Sequence, residues 1–157
     1  MARARLTHLD AAGKVRQVDV GGKPPSERVA MARGFVRVSR AALAAVRAGR
    51  LKKGDPLEVA RIAGIQAAKR TASLVQLCHP VPLTHVDVRA DLAADGVELS
   101  AVARARWHTG VEMEALTAVA VAVLVVYDML KSADRRMVIE GVRLVRKTGG
   151  KSGDFRA

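Results

Sequence analysis

Two pairs of ionisable residues close the ends of one stretch and deliver polar groups into a site, one pair with the types and spacing for proton transfer. TGVEMEALTAVAVAVLVVYDMLK, residues 109–131, opens with Glu112 and Glu114 and closes with Asp128 and Lys131. Asp128 and Lys131 are three residues apart, so on a helix they share a face and can meet one ligand. A carboxylate beside an ammonium stays ionised and acts as a base, and the ammonium acts as an acid if burial lowers its pKa. The plainer reading of such spacing is a helix salt bridge. Cations stand in three loops: Arg28 in GGKPPSER (21–28), Lys53 in the RLKKGDP turn, and Lys151 in TGGKSGDFRA (148–157). Together they could converge on a polyphosphate, with Arg28 closing over the anion. Cys78 and His79 sit side by side before Pro80 and Pro82. They do not make a nucleophile–base pair, because adjacent side chains in extended backbone point apart.

The element carrying the acidic residues is unusual. Between its polar ends, ALTAVAVAVLVVY has no charge, which predicts burial on nearly every side. That run is shorter than the roughly 20 residues a membrane span needs. Alternating AVAVAV would suit a buried strand, but the uninterrupted length far exceeds a usual strand of about 5–6 residues, so the stretch is read as a helix. Glu114 and Asp128 are then about 21 Å apart, given a rise of ~1.5 Å per residue. One small substrate cannot touch both on one helix. If both belong to one site, a neighbouring subunit must supply one of them.

Other elements follow from local signals. RQVDV (16–20) reads as a short strand, 21–28 as a flexible basic loop and GFVRVS (34–39) as a half-buried strand. Ser39 caps a short helix that stops at Gly49; Asp55 and Pro56 start another that ends at Lys69 and Arg70, where cations suit the helix dipole. Residues 73–83, SLVQLCHPVPL, read as an irregular extended loop. HVDVRADLA, the turn ADG and VELSAVARARW form a hairpin whose Asp87, Arg89 and Asp91 face solvent. MVIEGVRLVRK (137–147) reads as a last strand, and the Gly-rich tail 148–157 as flexible. Its GKS is not a Walker A loop, because Val145 occupies the place of the first glycine and no helix follows.

With 157 residues the chain is one domain, 1–157, long enough to bury its own core. Its 27 Lys+Arg against 15 Asp+Glu give a net charge of +12, which favours anionic partners. An aromatic content of 3% weighs against a single-strand nucleic-acid binder built on stacking platforms. The single cysteine excludes an internal disulfide and fits the cytoplasm. The N-terminal MARARLTHLD has no apolar segment of a signal peptide, and the His and Cys positions show no zinc spacing. Hence no metal site, no membrane and no nucleic acid are expected.

LTHLD (6–10), KGD (53–55), ARIAGIQAAKRT (60–71), LCHP (77–80), TGVEMEALTA (109–118), YDMLK (127–131) and GGKSGDF (149–155) closely resemble one family over practically the whole chain. It is the cyclic pyranopterin monophosphate synthases, protein C of molybdenum-cofactor biosynthesis. The resemblance implies an α+β fold, an antiparallel sheet covered by helices and ferredoxin-like in outline. It also implies a lyase that rearranges 3′,8-cyclo-7,8-dihydro-GTP and releases pyrophosphate. The assembly it implies is a homohexamer, a trimer of dimers, with active sites between subunits. By position, Asp128 matches the catalytic aspartate and Lys131 its partner in acid–base work, with Lys53 as a further catalytic lysine. Leu77, Cys78 and His79 match one substrate-binding segment, and Met113 and Glu114 another, with Glu112 beside them. Lys69 matches a lysine of the pocket, and Arg28, Lys147 and Lys151 are substrate-binding candidates. No cofactor is evident; Mg²⁺ could travel with the triphosphate, although nothing in the sequence demands it.

Overall fold

Small residues decide how this chain packs. Ala30, Ala32 and Val36 alternate along strand β1 (Ser26–Arg37), and Ala101, Ala103 and Ala105 along β3 (Gly96–Trp107), all buried. Helix α4 (Glu112–Leu130), which packs on both strands, adds buried Ala115, Ala118 and Ala122. With so little side chain between helix and sheet, the approach is close: a Cβ at Gly34 would lie 2.8 Å from Val119 Cγ1. On the other flank, a Cβ at Gly64 of α2 (Pro56–Ala68) would lie 2.9 Å from the Ala118 carbonyl oxygen. A long apolar helix is thereby clamped between sheet and α2.

The computed structural model describes Leu9, residues 12–151 and 153–157. The LTHLD motif lies outside the described residues except for Leu9, as does Ser152 of the tail. The remaining elements are α1 (Arg40–Arg47), α3 (Thr71–Leu74), β2 (His85–Leu92), β4 (Val138–Thr148) and β5 (Phe155–Arg156). The sheet is antiparallel with strand order β2-β3-β1-β4-β5. The first four of these strands, with helices following β1 and β3, make the α+β, ferredoxin-like arrangement that the resemblance implied.

Local signals placed the helix starts. The Ser39 side chain accepts from the Ala42 amide, and Asp55 Oδ1 accepts from the amides of Leu57 (2.9 Å) and Glu58 (3.4 Å). Behind α4, Asp134 accepts from the Ser39 amide (2.7 Å) and the Arg136 amide (2.9 Å), tying the start of α1 to the turn before β4.

Five expectations change. Residues 16–20 form no strand; Gln17 Nε2 instead donates to the Cys78 carbonyl (3.2 Å), and the Val18 carbonyl bonds His79 Nε2 (2.7 Å). Ser26, Glu27 and Arg28 belong to β1 rather than to a loop, because β3 pairs with them up to Trp107. Residues 71–74 make a helical turn, shortening the irregular segment. The tail folds back, with Phe155 and Arg156 pairing Lys147 and Arg146. Finally, α4 is not buried all round: Leu124 is 58% and Met113 38% exposed. By length and composition α4 would also satisfy a membrane span, yet half of that stretch is buried inside the fold.

Candidate active site

The two ends of α4 build two separate chemical environments. At its C-terminal end Asp128 is held between two ammonium groups. Lys131 Nζ lies 2.6 Å from Oδ1, one helical turn on, and Lys53 Nζ lies 3.0 Å from Oδ2. Lys53 also donates to the Asp128 main-chain carbonyl at 3.0 Å, one of the last-turn carbonyls that a helix leaves without an internal partner. Asp55 and Pro56, which start α2, set the turn that carries Lys53 there. Hydrogen bonds from Lys131 first and Lys53 second hold the Asp128 carboxyl below its ordinary range, so it is a carboxylate at neutral pH. Lys131 is correspondingly raised by the Asp128 carboxylate. Burial, the condition set for Lys131 to act as an acid, is absent in the single chain, where its side chain is 56% exposed.

At the N-terminal end the carboxylates sit in a different setting. Glu114 is buried, 4% exposed, and burial pushes its carboxyl up to about 6, with the charge of Glu112 adding to the effect. It borders a cavity of about 430 Å³ whose wall includes Leu77, Cys78, His79, Glu112 and Met113. Burial, and then the Glu114 charge, also raises the Cys78 thiol, so Cys78 is a neutral lining group rather than a nucleophile. His79 bonds the Val18 carbonyl and not Cys78, as expected for adjacent side chains. Its bond fastens the 17–20 strap, whose Val18 and Val20 close one side of the cavity.

Glu112 is shared with an adjoining hollow of about 800 Å³. There it pairs with Lys147 at 3.2 Å, and Arg28 and Lys151 line the same space. Arg28 donates to the Trp107 carbonyl (Nε, 3.3 Å) and to the His108 carbonyl (Nη2, 3.4 Å). A third neighbour is Gly150, which has φ +92°; a Cβ there would lie 1.8 Å from Arg28 Nη1. Glycine is thus required for the tail to close on the guanidinium. Asp154 accepts from the Gly149 amide (3.1 Å) and holds this turn. The result is a cationic bay beside a smaller, mainly apolar cavity with one buried acid.

The structure therefore groups Leu77, Cys78, His79, Glu112, Met113 and Glu114 with Arg28, Lys147 and Lys151, and separately groups Asp128, Lys131 and Lys53. Lys53 does not converge with the tail and the 21–28 loop in one chain, because α4 separates them. Lys69 joins neither group; it caps α2 and lines a hollow with Ile65 and His85. Two site residues escaped sequence reasoning. Lys23 lines both the cavity and the bay, and His108 Nδ1, which lines the bay, meets the Lys23 carbonyl. The signal for His108 was its place beside the TGVEME motif; for Lys23 there was only loop charge.

A model of the MoaC family matches residues 17–150. The chain belongs to the MoaC family. A MoaC-type relative from Novosphingobium aromaticivorans, named cyclic pyranopterin monophosphate synthase, is 55% identical over 152 residues, 97% of each chain. One of the same name from Roseiflexus sp. is 56% identical over 152 residues, covering 96% of each chain. A third, from Parvibaculum lavamentivorans, is 54% identical over 159 residues, covering 100% of this chain and 99% of the relative. The matched region contains both ends of α4 and the cationic bay as far as Gly150.

Proposed function

We propose that this MoaC-family chain is a cyclic pyranopterin monophosphate synthase. As such it is a lyase that converts 3′,8-cyclo-7,8-dihydro-GTP to cyclic pyranopterin monophosphate, releasing pyrophosphate, in molybdenum-cofactor biosynthesis. The observation that carries the reading is the chemistry along α4: a lysine-flanked carboxylate at one end, and a buried acid beside a cationic bay at the other.

Each residue type suits a demand of this reaction. Glu114, with Leu77, Cys78, His79 and Met113, takes the guanine-derived ring, whose edge N–H groups need an acceptor. Arg28, Lys147 and Lys151, with Lys23, bind the triphosphate and stabilise the departing pyrophosphate. Asp128 takes protons while the purine opens and the new ring closes, and Lys131 and Lys53 return them. No cofactor is required by this reading; were Mg²⁺ present, the triphosphate oxygens would hold it, and among the described residues no group of three His, Cys, Asp or Glu converges as a metal site.

Because about 21 Å of helix separates Glu114 from Asp128, the working site pools them from neighbouring copies in a homohexamer, a trimer of dimers. Lys69 reaches substrate in the same way. The part-exposed apolar stripe of α4, including Met113 and Leu124, supports an assembly that covers it. The enzyme acts in the cytoplasm, consistent with its single free cysteine.

The test is turnover of the cyclised GTP, followed by pyrophosphate release. Asp128→Asn keeps shape but removes the base, and is expected to slow turnover by about 10²- to 10⁴-fold while circular dichroism and particle size stay unchanged. Wild-type turnover by this variant would overturn the assignment.

A further inference from the structure

The face of the sheet turned away from the helices carries an arrangement of charge that plays no part in the chemistry above. Strand register places Arg89, Ser100, Arg33 and Arg143 side by side, one from each of β2, β3, β1 and β4. Two residues further along β1, β2 and β3, and three along β4 because its register shifts by one there, the same strands place Asp91, Glu98, Phe35 and Glu140 side by side. All eight border one open hollow of about 670 Å³, so both rows lie on the same face. A row with three arginines thus runs parallel to a row with three carboxylates, roughly 7 Å away along the strands.

Within one chain this pattern is unfavourable. Arg33 stands directly opposite Arg143, and Asp91 directly opposite Glu98, and like charges facing across strands destabilise a sheet. Some members find local partners: Arg89 with Asp87 at 3.3 Å, and Glu140 with Arg37 at 2.9 Å. Among the described residues, Arg33, Arg143, Asp91 and Glu98 form no ion pair, and all four are exposed.

We propose that this face docks on the same face of a second copy, the arginine row of each lying over the carboxylate row of the other. The pattern is self-complementary. A two-fold axis lying between the rows and parallel to them exchanges the rows and keeps each strand in its lane. Arg89 then meets Asp91 of the second copy, Arg143 meets its Glu140, and Arg33 lies over its Phe35, a favourable seat for a guanidinium. The four-stranded face is roughly 20 Å by 35 Å, or on the order of 700 Å² per copy, close to the ~800 Å² per partner of stable interfaces. A polyanion is the poorer occupant, because the carboxylate row would repel it, and only Phe35 on these rows could stack a base. The inference takes from the proposed function only that the chain self-associates, and it says which surface does so.

The experiment uses two charge-reversed chains. One carries Arg33→Glu, Arg89→Glu and Arg143→Glu; the other carries Asp91→Lys, Glu98→Lys and Glu140→Lys. Particle mass is measured by light scattering after gel filtration, with circular dichroism as the check on folding. Each variant alone is expected to form smaller particles than wild type, and an equimolar mixture to regain wild-type mass, because only unlike copies are then complementary. Both single variants keeping wild-type mass would overturn the surface while leaving the oligomer intact. Failure of the mixture to recover would also overturn it. A monomeric wild type would overturn this inference and the assembly, but not the Asp128 chemistry, which turnover tests separately. A wild-type monomer that binds duplex RNA through the arginine row would assign the face to nucleic acid instead.

Discussion

Hybrid assemblies decide whether Glu114 and Asp128 serve one site from different copies. Both residues lie on α4, fourteen positions apart, and an unbroken helix cannot bring them together. At ~1.5 Å per residue they stay about 21 Å apart. Asp128 is also fixed, by Lys53 at 3.0 Å and Lys131 at 2.6 Å, so side-chain reach does not close the gap. Asp128→Asn should lose the ~10²- to 10⁴-fold typical of a lost acid–base group, and Glu114→Gln, which leaves the ring edge without its carboxylate acceptor, should also be severely impaired. Co-expressed in equal amounts under two different affinity tags and purified through both, they form mixed assemblies. If a site takes Glu114 from one copy and Asp128 from another, each arrives intact half of the time. About one quarter of sites then carry both, and pyrophosphate release should recover to about one quarter of wild type. If both residues act within one copy, no site in any mixture is whole. Verified hybrids with activity no higher than the parent variants would refute the shared-site reasoning.

Two further outcomes test the environment of each group. Gly150→Ala puts a Cβ 1.8 Å from Arg28 Nη1 and should displace the guanidinium, raising KM for the cyclised GTP by about 10- to 100-fold, the worth of a charged hydrogen bond. Steady-state kinetics should show kcat nearly unchanged, and an unaltered KM would remove Arg28 from the anion bay. Glu114, with its carboxyl raised from 4.5 to about 6, destabilises the ligand-free fold above that upper value, and the penalty disappears below the lower one. Glu114→Gln should therefore stabilise the free protein at pH 7.5, by on the order of 1–2 kcal/mol. The gain should shrink to nothing as pH falls through about 6 to 4.5; thermal melts across that range measure it, and a pH-independent gain would contradict burial as the cause.

Much of the site was readable before any fold was known. Asp128 and Lys131 meet because three residues along a helix make one turn, and the structure has them 2.6 Å apart. The separation of Glu114 from Asp128 followed from helix rise alone. The Ser39 and Asp55–Pro56 starts, the hairpin around Asp95–Gly96 and the α4 helix obey rules that act over a few residues. The functional grouping of Leu77–His79 with Met113–Glu114 came from resemblance to a family, since no local rule links segments so distant.

By itself, then, the sequence determined what short-range backbone geometry controls: where helices begin, which side chains share a turn, and that α4 has chemically different ends. Tertiary structure alone decided which strands become neighbours. It turned Ser26–Arg28 into strand, hooked the tail onto β4, set Gly150 against Arg28 and gathered separate arginines and carboxylates into two rows. It also denied residues 16–20 a strand by offering them the Cys78 carbonyl and His79 as anchors instead. The physical reason is range. Helix spacing and capping are settled within a turn, whereas pairings between residues tens of positions apart arise only when the sheet closes and the apolar faces of its elements are buried together.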